Sequence, residues 1–538
     1  RIYGCHIVKL GDASAGVCAL MPRPIQVNKL DEHGYLGDLV DASFPPNAFI
    51  FAHNVRFVNG QVSRVLSREL VKSLSFVPYH CLFVAATPSY WVLAGQDKLY
   101  VWDGSAVTDV SKVGGYAADL TQLWTSDIFG GIPVLNNGIN PPQCQISGTA
   151  AGQFSDFPAW PAGYTAKVVR GYKNYLIAYN VSHAGGNFPH LIKWSAPATP
   201  GAMPTNWNAS DPTSDANEIE LYDSWAGPII DVLPLRDKNI VYKANSIWTM
   251  QTIPSAFVFD VERAIQGTGL LARNCVSAIA NGAAHLFASH SDLLIYDGAT
   301  VRSAITKKVR DRYMELRTLE HIKNSFMVSN PRYKETMFCY PTEGHRWPTE
   351  AMVLNEDTGA ITLRSLPGVP HMSLGDWLAP TVTWDSLTQN WDALVESWDS
   401  SAVYQSGQDL HSVSVAQQGF YREDSQAPAA TEVSTLIFAF ALERSANGAP
   451  AIETAYYKTF FRAKFNIEGG PVACRLGYKH SSADSITWGP KTIYDPAVND
   501  WYDNIVTERL LFLEMTSLAN NQFSLDSYSV MITRKGRF

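Results

Sequence analysis

Side chains with the types and spacing to do chemistry are sparse along these 538 residues. His285 and His290 stand five apart in HLFASH, and an odd spacing on an extended strand puts them on opposite faces, where they cannot share a metal ion. Asn355, Asp357 and Gly359 in LNEDTGAI resemble the opening of a calcium loop, but the downstream Glu of that loop is missing, and the stretch reads as a hairpin turn. H-E-x-x-H, G-x-S-x-G and G-x-x-x-x-G-K-[ST] are all absent. Cys5, Cys18, Cys81, Cys144, Cys275, Cys339 and Cys474 are odd in number and form no C-x-x-C, so they read as reduced, buried thiols of a chain made in a cytosol. The expectation is a protein with no catalytic residue, no metal and no cofactor.

The bulk composition points the same way. Hydrophobic residues make up 46% and charged residues 17%, enough apolar surface for large cores. Aromatics at 12%, with 37 Gly and 30 Pro, favour strands and tight turns over helices. The net charge is −8, and the basic residues cluster no further than Lys307-Lys308 and the tail RKGRF, which is not the footprint of an electrostatic nucleic-acid binder. The longest apolar run, Leu436 to Leu442, is too short to span a bilayer, and a signal peptide is not expected from the first 22 residues, which lack a basic region followed by an apolar block.

The elements that would position any site are short strands bounded by Gly, Asp, Asn or Pro. Asn59-Gly60, between VRFV and QVSR, is the strongest hairpin signal. WVLAGQDKLYVWDG (Trp91 to Gly104) aligns without a gap on HLFASHSDLLIYDG (His285 to Gly298) at an offset of 194 residues. Asp103 and Gly104 fall on Asp297 and Gly298, marking the same strand, turn, strand, Asp-Gly-turn unit twice. VYKANSIW (Val241 to Trp248) aligns on LAGQDKLY (Leu93 to Tyr100) at an offset of 148, so both offsets are multiples of a step of about 49, within the range of propeller blades. Blade centres are expected near Leu93, Ile132 to Asn137, Tyr175, Val241, Phe287 and Phe338. The fold class expected is all-β: a β-propeller of about six blades, which removes exposed strand edges, with an additional C-terminal β-sandwich-like domain. A large β-sandwich with chance-like hairpins is the competing all-β architecture. Ala304 to Leu319 reads as one amphipathic helix packed on the ring.

The expected divisions are an N-terminal segment with a hairpin (1–75), the propeller (76–375), a Trp-Asp tract and linker (376–429) and the C-terminal β domain (430–538). The tract TWDSLTQNWDALVESWDS repeats Trp-Asp at Trp384, Trp391 and Trp398, seven residues apart. It fits a short helix with one apolar stripe, or an extended connector in which each Asp caps a turn and each Trp is a structural anchor on a neighbouring surface. Asp103, Gly104, Asp297 and Gly298 are the other expected structural positions. Arg422 to Ala430, REDSQAPAA, is polar and proline-bearing and reads as linker.

Several phrases in order resemble the nozzle proteins, or tail tubular proteins B, of short-tailed bacteriophages: FIFAHNVRFVNGQVSR, IPVLNNGINPPQ, LIKWSAPATP, NSIWTMQ with the Phe and Gly pairs that follow it, the Trp-Asp tract, and the ending from RLLFLEMTS to KGRF. The resemblance covers roughly residues 45 to 538; the first 45 residues carry none of it. It implies a structural virion protein, assembled in the host bacterial cytoplasm, whose β-propeller subunits form a hexameric homo-oligomeric ring below the tail adaptor protein. Genome DNA would pass transiently through that tube, tail fibre proteins would dock on it, and the lumen would hold few Lys and Arg. It carries over no catalytic residues. The alternative is a glycan-binding or glycan-hydrolysing propeller. SSADSITW (Ser481 to Trp488) resembles the S-x-D-x-G-x-T-W box of such enzymes, but it lacks the Gly and is a residue short. Such an enzyme would place two carboxylates about 5 to 10 Å apart.

Overall fold

The computed structural model describes residues 24–36, 45–117, 119–121, 124–222, 227–254, 258–376, 409–429, 432–440, 443–444, 450–451, 456–481, 483–518 and 521–535. Seven four-stranded antiparallel units follow one another, and their innermost strands form a closed circuit. These strands are His80–Val84, Thr125–Phe129, Thr165–Tyr172, Ile229–Leu235, Val276–Ile279, Phe326–Asn330 and His371–Gly375; each lies against the next, and the last lies against the first. Blades 1 to 6 span 80–109, 125–156, 165–220, 229–266, 276–303 and 326–365. The fold is a β-propeller.

Burial grades outward along each blade because inner and middle strands face a neighbouring blade on both sides. Tyr90–Ala94 is buried at every position, as is Glu335–Tyr340, whereas the outermost strand of blade 3, Asn217–Glu220, is exposed throughout. All six expected blade centres fall on the second strands of blades 1 to 6. The internal repeat is equally literal. Trp102 pairs with Val107 in blade 1 as Tyr296 pairs with Val301 in blade 5, and Gly104 and Gly298 share a φ of +97°. In each turn the Asp carboxylate accepts hydrogen bonds from two following backbone N–H groups: Asp103 from Ser105 and Ala106, Asp297 from Ala299 and Thr300.

The ring differs from the expectation in having seven blades, not about six, and wider bounds than 76–375. Blade 7 is built from His371–Gly375, Asp409–Ser414 and Gly419–Gln426, and its outermost strand is Ser67–Ser73, from before blade 1. Closing the ring with strands from both sides of the sequence clasps blade 7 against blade 1. Trp91 wedges into this seam, 4.9 Å from the Phe420 ring and 4.6 Å from His411, and a Cβ added at Gly375 would lie only 2.4 Å from the indole. The stretch read as linker, Arg422 to Ala430, begins as the third strand of blade 7. Its charges are buried because Arg422 pairs with Asp409 of the same blade, Glu423 and Asp424 pair with Arg364 of blade 6, and Asp424 also pairs with Arg56, so its polarity marked an ionic joint and not solvent.

The N-terminal segment is not separate from the C-terminal domain. Val55–Val58 and Gln61–Arg64, joined by the Asn59-Gly60 turn (φ +53° and +85°), pair through Gln61–Arg64 with Phe523–Arg534. That sheet continues to Lys458–Gly469 and Tyr502–Glu508. The second sheet of this sandwich grows from the edge of blade 6. Ile361–Ser365 is followed by Phe51–His53, Thr435–Ala439, Leu510–Ser517 and Val472–Lys479 in one continuous sheet. Lys458–Gly469 mostly alternates buried and exposed from Arg462 on, covering one face of the core, whereas Leu510–Ser517 is buried throughout. One apolar core runs from blades 4 to 6 into the sandwich.

Helix α1 (Lys307–Leu316) sits after blade 5 within the expected 304–319 and buries Val309 and Tyr313. Asn355 and Gly359 form the hairpin turn between Glu350–Asn355 and Ile361–Ser365, with Gly359 at φ +73°. The Trp-Asp tract with Trp384, Trp391 and Trp398 lies outside the described residues. Among the described residues, no helix is long and apolar enough to cross a membrane.

Candidate ligand cavity on the propeller axis

The first residues of the seven innermost strands, with the loops that lead into them, converge on the axis and enclose a cavity of about 240 Å³. Every blade supplies part of its wall, including His80, Trp124, Lys167, Arg273, Lys323 and His371.

Beside this cavity, side chains link every blade to the next. The His80 ring meets the Ser126 hydroxyl at 2.7 Å, joining blades 1 and 2. Gly171 N donates to Asp127 Oδ2 at 2.7 Å, joining blades 2 and 3. Arg170 of blade 3 reaches three other units: it donates to the carbonyl of Ser126, to both oxygens of Asp231 at 3.3 and 3.4 Å, and to Asn274 Oδ1 at 3.2 Å. Asp231 also accepts from Asn274 N at 2.7 Å. Cys275 Sγ donates to the Ser325 carbonyl at 3.1 Å between blades 5 and 6. The Phe326 ring lies 5.8 Å from that of His371, which in turn lies 3.8 Å from that of His80 and closes the circuit.

The electrostatics follow from burial. Desolvation, then His371 and Arg170, hold the His80 imidazole well below its ordinary value; desolvation and Arg170 bring His371 down to about 3. Both rings are therefore neutral at pH 7. Burial is also the main cause that lowers Arg273 to about 10, with Asp231 opposing and Arg170 assisting. Lys167 is lowered by burial and then by Arg273. The wall residues of the cavity among those described include these two cations and Lys323, and no carboxylate.

A second buried charge cluster lies where the sandwich, blade 6 and blade 7 meet. Arg56 pairs with Glu335 and Asp424, each at 2.8 Å; Arg364 pairs with Glu423 at 2.9 Å and Asp424 at 3.2 Å. Tyr333 lies over the Arg56 guanidinium at 3.5 Å. Burial opposes the Asp424 charge, but Arg364 and Arg56 outweigh it and hold the carboxyl below its usual range. Burial raises Glu335 despite Arg56.

Asp103, Gly104, Asp297 and Gly298 lie on the outer hairpins of blades 1 and 5 and take no part in either cluster. His285 is buried, held by the Tyr242 hydroxyl at 2.9 Å and the Pro234 carbonyl at 3.0 Å, and burial lowers it to about 4; His290 is exposed. Cys81, Cys144, Cys275, Cys339 and Cys474 are buried free thiols. Ser481 N donates to Asp484 Oδ2 at 2.8 Å, and the SSADSITW stretch ends in the strand Thr487–Trp488, paired with Val472–Lys479 of the sandwich. The axial residues escaped sequence reading because no contiguous motif joins them. Their shared signal is positional, at the entry to successive first strands, and it emerges only once the blades are in register.

No family model matches the chain, and no match is found among curated proteins. Similar solved structures include the AfRom2 CNH domain (8% identity, TM-score 0.35, covering 58% of this chain and 92% of that one). An ancestral GH74 enzyme is 9% identical with a TM-score of 0.38, covering 69% of this chain and 50% of that one. The β-propeller domain of Myceliophteria thermophila Cps50 (Swd1) is 9% identical with a TM-score of 0.27, covering 55% and 99%.

Proposed function

We propose that the chain is a non-enzymatic structural subunit of a virion: the tail nozzle of a short-tailed bacteriophage. In this reading six copies form a ring below the tail adaptor, DNA leaves through the lumen between copies, and fibres dock outside. The observation that carries it is where the resembling phrases fall. FIFAHNVRFVNGQVSR supplies the strands that weld blade 6 to the sandwich, the Arg56 of the ionic joint, and Arg64, which donates to the carbonyls of Ala429 at 3.0 Å, Glu432 at 2.6 Å and Asn521 at 2.7 Å. RLLFLEMTS supplies the fully buried strand of the same joint. These phrases thus coincide with the parts that make the propeller and sandwich one mechanical unit.

The carboxylates of the two buried clusters are also committed to holding elements together. Glu335, Asp424 and Glu423 serve Arg56 and Arg364, Asp231 serves Arg170, and Asp409 serves Arg422 at 2.6 Å and Arg332 at 3.0 Å. The axial cavity is far too small for a DNA duplex, so a conduit would form between copies. Size-exclusion chromatography with light scattering, followed by negative-stain imaging, tests the reading. Rings with a central opening are expected. A monomer at tens of micromolar that retains or cleaves polysaccharide would overturn it in favour of the glycan-directed alternative.

A further inference from the structure

We propose that the seam between blades 7 and 1 is an acid-sensitive clasp: as pH falls the ring parts there first, the three inner strands of blade 7 leaving blade 1 and Ser67–Ser73 while the other seams hold. This is independent of the nozzle reading and can fail without it. The seam is where the chain closes the ring on itself. Gly419–Gln426 pairs with Ser67–Ser73 in a ladder whose register slips twice, between Phe420 and Tyr421 and between Arg422 and Gln426, so the clasp is interrupted. Behind it lies a small apolar core of its own, including Leu74, Cys81, Phe83, Trp91, Val413 and Phe420.

Histidines concentrate at this seam. Burial holds His53, His80, His285, His371 and His411 below their ordinary value. Three of these share the seam. The His371 ring of blade 7 lies 3.8 Å from the His80 ring of blade 1, and its Nδ1 is 3.5 Å from Cys81 N and 3.6 Å from Cys81 Sγ. The His411 ring is 4.6 Å from that of Trp91. By contrast, His285 alone bonds across blades 4 and 5, and His53 belongs to the sandwich strand Phe51–His53. His80 and His371 face each other, Arg170, the Ser126 hydroxyl, the Cys81 thiol and the Phe326 ring. Asp127 and Asp231 act on Arg170, and the cavity wall that the two rings share holds Lys167, Arg273 and Lys323 and no carboxylate. The charged neighbours of His411 are Arg422 and Asp409, and Asp409 is already paired with Arg422 and Arg332. Protons are therefore taken up more readily once the seam is open. Below the free-histidine value of about 6.5, the open form gains about tenfold in population per pH unit for each histidine it releases. A seam that releases three outruns one that releases one.

Buried cysteines supply the reporters: Cys81 for this seam, Cys144 for the core of blades 2 and 3, Cys339 for that of blades 6 and 7, and Cys474 for the sandwich. The test is pulsed labelling of the full chain from pH 7.5 to 4.5 with a dipyridyl disulfide, which modifies thiols in acid. Each site is read by peptide mass spectrometry against the same thiol in the urea-unfolded chain. Cys81 is expected to gain reactivity first below about pH 6.5, by roughly tenfold or more over Cys144, Cys339 and Cys474. In His371→Gln its rise should be shallower by about tenfold per pH unit, whereas His285→Gln should leave the Cys81 slope unchanged. Labelling of all four cysteines together, or a Cys81 that stays as protected as the others, would overturn the proposal on the wild type alone, whether or not a variant folds. An unchanged slope in folded His371→Gln would overturn it as well.

Discussion

The ionic joint and the propeller axis are both buried and charged, but they are balanced differently. At the joint two guanidiniums meet three carboxylates, and each charge has a partner within 3.2 Å. Around the axis Arg170 faces the carboxylates of Asp231 and Asp127, Lys167 donates to the Gly138 carbonyl at 3.3 Å with Asp119 nearby, and Arg273 donates to the Lys167 carbonyl at 3.1 Å. A closed set of charges fixes geometry, and removing one member leaves the others desolvated and unpaired. A looser set, in which carbonyls and amides share the donors with carboxylates, links several blades at once with less charge-to-charge pairing. The first arrangement welds two elements at one point; the second threads neighbouring blades together around the ring.

Acid separates the two most strongly. His371, His285 and His411 are lowered to about 3, 4 and 4, mainly by burial, and His80 is lowered too. Their folded values lie below the unfolded value near 6.5, so the unfolded chain binds more protons between the two. The stability they contribute is complete above pH 6.5 and drains as pH falls toward 4, at about 1.4 kcal/mol per pH unit for each histidine. The Asp424 carboxyl at the joint is also lowered, so its contribution is lost only below the ordinary carboxylate value. Denaturant midpoints measured from pH 7.5 to 4 should fall steeply below 6.5. A flat profile down to pH 4.5 would remove the buried histidines from the account.

Next in size is the joint itself. Arg56→Ala should cost about 3–5 kcal/mol in chemical unfolding, because it strands Glu335 and Asp424. A loss under 1 kcal/mol would mean the joint is not a weld. The repeated turns set a smaller, matched scale. Gly104→Ala and Gly298→Ala should each cost about 1–2 kcal/mol, and nearly equally, because both place a Cβ at φ +97°. Unequal losses would break the equivalence of blades 1 and 5. Smallest of all, Lys323→Gln should change stability by less than about 0.5 kcal/mol, since its side chain is exposed.

Much of the ring was legible because a propeller writes its unit repeatedly. Asp103-Gly104 and Asp297-Gly298 sit in equivalent turns, and six apolar second strands stood out as fully or largely buried runs. Blade 7 was hidden for a topological reason: its outermost strand precedes blade 1, and residues 376–408 separate its first two inner strands. The polar run Arg422, Glu423, Asp424 read as solvated, since composition cannot reveal that Arg56, from over 360 residues upstream, is waiting for Asp424. For the same reason the axial cavity was illegible. Lys167 and Arg273 are 106 residues apart and meet only because blades 3 and 5 share an axis.

A cryo-electron microscopy map of the purified chain tests the central claim most directly. The expected result is copies arranged around an open lumen, each a seven-bladed disc with Ser67–Ser73 as the outermost strand of blade 7 and the sandwich continuous with blade 6. Solitary copies with no self-assembly, or a chain whose four-stranded sheets are not radially arranged, would contradict it.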